Sequence, residues 1–259
     1  MSVRAVGGHA QASSSISFTV SGESQATATV AEEEYLQILF WLQEAGLPMT
    51  GANVARAMQL SAPTVHEMVG RLERDGYITR DANRAIAFTP TGERHAEEIV
   101  RRHRLIERFL TDVLGVPWDE VHEEAERLEH AMSPVLEAKM LEAIGDAKTC
   151  PHGHPIVVGA RLAGVPLADV AIGASVRILR FENEAEDLLH YLKASGIEPG
   201  LEGTLAAHDD EQVVVETADG QRCVLTPTVA ETVSVTADPS PPPRTALPEQ
   251  LVLGQRYGR

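Results

Sequence analysis

The chain has 259 residues, 22 basic against 38 acidic side chains, and a formal charge of −16; 43% of it is hydrophobic and only 4% aromatic. That length accommodates two or three small domains with separate cores, and so acidic a chain does not coat nucleic acid or membrane indiscriminately. Its longest membrane-like stretch, 156–176, is broken by Arg161, Pro166 and Asp169, and its first 29 residues lack a basic start followed by an apolar run, so neither a transmembrane helix nor a secretory signal is expected.

Residues 1–29 are rich in Ser, Ala, Gly and Thr and are expected to be a disordered extension. Tyr35, Ile38, Leu39 and Leu42 then recur at helical spacing and predict a helix over 32–45, ended by Gly46-Leu47-Pro48. A short helix over 51–58 leads to Ser61-Ala-Pro63-Thr64, an N-cap with proline in the first turn, and the helix it starts runs to about Asp75. Gly76 closes it, and 77–80 and 85–88 read as two strands. Helix, turn, helix and hairpin in this order outline a winged helix-turn-helix. Phe40 and Trp41 are expected in its core.

Thr89-Pro90 caps a long helix to about Val113, Gly115-Val116-Pro117 breaks it, a second helix covers about 118–132, and Ser133-Pro134 starts a third that ends near Gly145. Residues 150–165, with two prolines and three glycines, read as a linker. Within it Cys150-Pro-His152-Gly-His154 lacks a fourth ligand and C-x₂-C spacing, so a structural turn is expected there. Short β segments follow at 176–181, 212–217, 223–226 and 233–236, with a helix over 184–194 among them, the pattern of a small SH3-like barrel. Cys223 is expected as a buried small hydrophobe, and the two cysteines lie too far apart to form a disulfide framework, consistent with a cytoplasmic location. The tail from 237 is proline-rich and expected to be disordered.

The chemistry concentrates in His103-Arg-Leu-Ile-Glu107 and His122-Glu-Glu-Ala-Glu126-Arg-Leu-Glu129-His130. Residues three and four apart share a helix face, so His103 pairs with Glu107, while His122, Glu126 and His130 form a stripe beside Glu129. At ~1.5 Å rise per residue, His122 and His130 stand about 12 Å apart, too far for one mononuclear cage. Solvated i,i+4 pairs are the ordinary alternative. The concentration of histidines, the recurring carboxylates and the DNA reader upstream favour metal ligation.

Ser61-Ala-Pro-Thr-Val65, Arg71-Leu-Glu-Arg-Asp-Gly-Tyr77, Thr89-Pro-Thr-Gly92, His103-Arg-Leu-x-Glu107 and the run from His122 to Ser133 together resemble the diphtheria-toxin-repressor family of metal-dependent transcriptional repressors. The resemblance covers about 32–145, and the barrel resembles the SH3-like (FeoA-like) domain of longer members. It implies a mainly α fold with β: a winged helix-turn-helix over 30–89, a helical dimerisation and metal-binding domain over 90–149, a linker over 150–168, the SH3-like β-barrel over 169–236, and a tail over 237–259. It implies a primary metal site of Glu34, Glu126, Glu129 and His130 and an ancillary site of His103, Glu107 and His122. Glu184 and Asp187 are the nearest match to the ligands that the barrel lends to the second site, with Glu182 or Glu186 as alternatives.

Iron-responsive members place methionine and cysteine where this chain has Glu34 and Glu126. An oxygen and imidazole set suits the harder Mn²⁺, with Fe²⁺ as the alternative. Manganese-responsive members more often carry aspartate at the first position and add a glutamate one turn later, where this chain has Gln37. The expected partners are a second copy of the chain and palindromic double-stranded operator DNA, with no membrane and no small-molecule substrate. Ser61, Pro63 and Thr64 would read bases and phosphates and Arg84 in the wing would touch the backbone. Residues 51–95 hold six arginines against five acids, 6 − 5 = +1, a modest but local footprint. A di-metal carboxylate enzyme is disfavoured, since no glutamate stands three residues before any of the ten histidines and His-Glu-x-x-His is absent.

Overall fold

A computed structural model describes residues 28–82, 84–157, 159 and 163–240. The disorder expected of both ends therefore falls outside the described residues, apart from 28–29 and 237–240.

Serine or threonine followed by proline recurs as the device that starts helices. Helices α1 (Val30–Glu44) and α2 (Gly51–Ala57) precede α3 (Ala62–Arg74), whose N-cap Ser61 accepts from the Thr64 N–H at 3.3 Å. Strands β1 (Ile78–Arg80) and β2 (Ile86–Phe88) pair antiparallel as the wing. Helix α4 (Pro90–Leu114) starts on Thr89, whose hydroxyl accepts from the Gly92 N–H at 3.1 Å. Gly92 is dictated by contact: a Cβ there would lie 1.8 Å from the Tyr77 carbonyl oxygen, so the first turn of α4 seats directly on the wing.

The 25 residues of α4 make it a strut of about 37 Å that serves two cores. Its first half buries Ala96, Ile99 and Val100 with the apolar residues of α1–β2, including Phe40 and Trp41. Its second half buries Leu105, Ile106 and Leu110 against α5 (Val121–Glu129) and α6 (Pro134–Ile144). Helix α5 is shorter than the 118–132 expected: residues 118–120 form a turn, and His130 is the C-cap.

The third core lies in a six-stranded antiparallel sheet ordered β3-β8-β4-β5-β6-β7. Its strands are β3 (Val165–Pro166), β4 (Ser175–Phe181), β5 (Glu202–His208), β6 (Val213–Glu216), β7 (Arg222–Leu225) and β8 (Val233–Asp238). Helix α7 (Glu186–Ala194) follows β4, and a single turn, α8 (Pro227–Ala230), precedes β8. Cys223 is buried in this core. The sheet thus begins inside the span read as linker and ends two residues into the span read as tail. Strand β5, Glu-Gly-Thr-Leu-Ala-Ala-His, was not expected, because its small residues give little apolar alternation. None of the helices described is long and apolar enough to cross a membrane.

Candidate metal centre

Three elements deliver the buried donors to one place. Helix α4 supplies His103 and Glu107 one turn apart, α5 supplies His122, and the segment just after β4 supplies Glu184; their donor atoms lie within 4.8 Å of one another. Glu107 is the hub. Its Oε1 accepts from His103 Nε2 at 3.0 Å and His122 Nδ1 at 3.1 Å, while Glu184 Oε2 stands 3.4 Å from His122 Nδ1. Trp41 of α1 walls the cluster, its ring centroid 5.8 Å from that of His103 and 6.1 Å from that of His122.

The four groups of the first set line a neighbouring cavity of about 820 Å³: Glu34 of α1, Glu126 and Glu129 of α5, and His130 at its end, with Met58, Gln59 and Leu60 of the turn before α3 in the same wall. Glu129 joins the two sets. Its Oε2 accepts from His103 Nδ1 at 2.7 Å and from the Gln37 amide at 3.3 Å, and its Oε1 lies 3.4 Å from His130 Nε2. His130 Nδ1 donates to Glu33, the neighbour of Glu34, at 2.7 Å.

Burial by itself would strip protons from these imidazoles and add them to these carboxyls; the mutual contacts reverse both tendencies. Burial lowers His103, but Glu107 and Glu129 outweigh it and hold the ring at about 9. His122 and His152 are likewise pushed well above the usual histidine range, against burial, chiefly by Glu107. Burial raises Glu107 and Glu184, yet the facing imidazoles hold both below the usual carboxylate range. Protonated rings thus carry the positive charge that the buried carboxylates demand.

The donor set fits a divalent cation. Gln37 Oε1 and Glu107 Oε2 are buried without a hydrogen-bond partner, and His122 Nε2, Glu126 Oε1, His152 Nδ1 and His154 Nδ1 are buried with only ion-pair contacts at 3.2–3.7 Å. Each such group costs about 1–3 kcal/mol and is rare in a folded chain, so several around one centre mark a place shaped for a ligand.

Residues 28–86 match the iron-dependent repressor N-terminal DNA-binding domain, 89–157 the iron-dependent repressor metal-binding and dimerisation domain, and 165–237 the FeoA domain. Over 219 residues the chain is 32% identical to the iron-dependent repressor IdeR of Mycobacterium leprae, spanning 78% of this chain and 95% of that protein. The chain belongs to the iron-dependent repressor family. Over 140 residues it is 39% identical to the diphtheria toxin repressor of Corynebacterium diphtheriae, spanning 54% of this chain and 62% of that one. Among solved structures, a manganese-dependent transcriptional repressor in complex with manganese superposes with a TM-score of 0.71 at 30% identity, covering 80% of this chain and 99% of that one.

Within this family member the loop over 150–154 forms the expected turn, with the Gly153 N–H donating to the Cys150 carbonyl at 3.0 Å, and it also packs against the candidate centre. Cys150, His152 and His154 are buried, and Cys150, His152 and Glu107 form a second convergent group. His152 Nε2 donates to the Trp118 carbonyl at 2.7 Å, which leaves Nδ1 facing Glu107 Oε1 at 3.2 Å. His154 Nε2 donates to the Phe181 carbonyl at 2.8 Å and lies 3.2 Å from Glu184. A ring nitrogen anchored on a backbone carbonyl is the usual support of a ligating histidine. No spacing rule points to this loop, because its burial is imposed from outside. Arg108 donates to the Thr149 and Cys150 carbonyls, Arg104 donates to Pro155, and Phe181 N–H donates to His152.

Asp187 stands apart. It is exposed on α7 and lies outside both convergent groups, since α7 starts only at Glu186 and turns its first-turn acids to solvent. Of the alternatives, Glu182 is engaged by Arg180 at 2.7 Å and by Ser234, and Glu186 is among the residues that line the cavity. In the reader domain, Ser61, Pro63 and Thr64 are exposed at the start of α3, and Arg84 is exposed in the wing turn.

Proposed function

We propose that this repressor-family chain is a homodimeric, manganese-responsive regulator that binds palindromic duplex operator DNA in its metal-loaded form and acts on DNA rather than as an enzyme. The observation that carries this reading is the shared cavity, which is lined by Glu34 of the reader domain and by Glu126, Glu129 and His130 of the helical domain. A dication bound there would neutralise the crowded carboxylates and fix the two domains in one arrangement. Such a shift requires higher affinity for the DNA-competent state than for the other.

The rest follows from the chain's own groups. Glu34, Glu126, Glu129 and His130 would hold one ion, and His103, Glu107, His122 and Glu184, with Cys150 and His152 beside them, a second. Glu129 orients His103 and thereby ties the sets together. Ser61, Pro63 and Thr64 would meet base edges and phosphates, and Arg84 the backbone. Exposed Leu128 of α5 and Val135, Leu136 and Leu141 of α6 support pairing of two copies through the helical domain. A two-fold dimer accounts for a palindromic site.

Carboxylate and imidazole donors in the first set favour Mn²⁺. One observation favours Fe²⁺ as the second reading: the Cys150 thiol beside Glu107 and His152 is a softer donor. A DNA fragment selected by the protein from a random duplex library, titrated by anisotropy at buffered free Mn²⁺, Fe²⁺ and Zn²⁺, tests both. Affinity should rise with free Mn²⁺ to its full plateau; because divalent-ion affinity generally increases from Mn²⁺ to Fe²⁺, the plateau rather than the midpoint discriminates. A plateau that Fe²⁺ reaches and Mn²⁺ does not supports iron, and affinity indifferent to every ion overturns the reading.

A further inference from the structure

Three consecutive glutamates stand near the start of α1: Glu32 and Glu33 in its first turn and Glu34 just after it. Successive helical residues point about 100° apart, so the three carboxylates fan out in different directions. Glu33 reaches His130 at the end of α5, and Glu34 lines the cavity. Glu32 turns the other way and is 3% exposed. Its Oε2 accepts from the Thr29 N–H at 2.7 Å and hydroxyl at 2.8 Å, closing the capping box that starts α1; its Oε1 forms an ion pair with Arg71 Nε at 2.8 Å.

Arg71 lies in the last turn of α3, the helix that presents Ser61, Pro63 and Thr64 at its other end. A capping box is satisfied by glutamine as well as glutamate. The cap therefore does not need the negative charge of Glu32; what that charge adds is the ion pair with Arg71, whose Nε also stands 3.6 Å from Asp75. One rigid helical turn thus touches the metal cavity on one side and holds the recognition helix on the other.

We propose that Glu32 is a positioning residue: through Arg71 it passes the seating of α1 against α5 on to the recognition helix. This inference rests on metal-dependent operator binding as read above. Glu32→Gln keeps the cap and removes the charge. In the full chain, with the library-selected duplex, chelated and Mn²⁺-saturated affinities are measured by anisotropy, Mn²⁺ affinity without DNA by calorimetry, and Tm by circular dichroism.

Metal-free DNA affinity, Mn²⁺ affinity and Tm should stay close to wild type, within about twofold for the two affinities. The Mn²⁺ stimulation ratio should fall about three- to fivefold, equivalent to ~0.7–1 kcal/mol, because Arg71 is partly exposed. Arg71→Gln should lower the ratio as well, and Glu32→Gln should add nothing in the double variant. A loss shared equally by the metal-free and metal-saturated affinities, an unchanged ratio, or additive single effects would overturn the proposal. Wild-type binding that ignores Mn²⁺ would overturn it too, by removing the reading beneath it.

Discussion

Glu126→Ala is expected to abolish the manganese dependence of operator binding while leaving the fold intact. Glu126 lines the cavity, and its Oε1 stands 3.4 Å from His122 Nε2 with neither atom hydrogen-bonded. Removing a group that only supports a ligand costs about 10–100-fold in metal affinity, and removing a ligand itself costs at least as much. At a free Mn²⁺ concentration that saturates the wild type, the variant should bind the operator no better than it does with chelator present. The metal-free chain should be about as stable as wild type, because Glu126 is partly exposed in the cavity wall and its contact with His122 is at 3.4 Å. An unchanged manganese dependence in a gel-shift titration, with normal melting, would remove Glu126 from the centre.

Gly153→Ala should be the most damaging small change in the buried loop. Gly153 sits at φ +95°, and a Cβ on it would meet the Leu179 carbonyl oxygen at 2.0 Å and Arg180 Cα at 2.7 Å. The backbone conformation alone costs an L-residue about 1–3 kcal/mol. The contact is with strand backbone, so the loop must retreat from β4, carrying His152 and His154 away from Glu107 and Glu184. A loss of about 3 kcal/mol or more is expected, seen as a fall in Tm of roughly 6–12 °C for a chain of this size. The variant should also bind less metal at the His103–Glu107–His122–Glu184 cluster. Wild-type Tm and wild-type metal content together would show that the loop does not depend on this close approach.

The helices of the reader and helical domains are legible in the sequence because their signals are local. Ser61, Thr89 and Ser133 each announce a cap followed by proline, and the phase of His103, Glu107, His122 and Glu126 needs only the helical period. What the sequence hides is set by tertiary contact. Nothing between Cys150 and His154 says that arginines of α4 will fold that loop onto the centre, and nothing in Glu32-Glu33-Glu34 says which carboxylate meets His130. The resemblance points to Glu34; the structure gives the hydrogen bond to Glu33 and leaves Glu34 in the cavity wall. The resemblance also offers Asp187 beside Glu184, but Glu184 precedes α7 and is buried, whereas Asp187 lies exposed in the first turn of that helix.

The proposed bridge is one ion shared by α1 and the end of α5. Diffraction from crystals grown with Mn²⁺, with anomalous data collected near the manganese absorption edge, tests it most directly. A peak in contact with Glu34 together with Glu126, Glu129 and His130 is the expected result. Glu34 turned to bulk solvent, with no peak between the reader and helical domains, would contradict it.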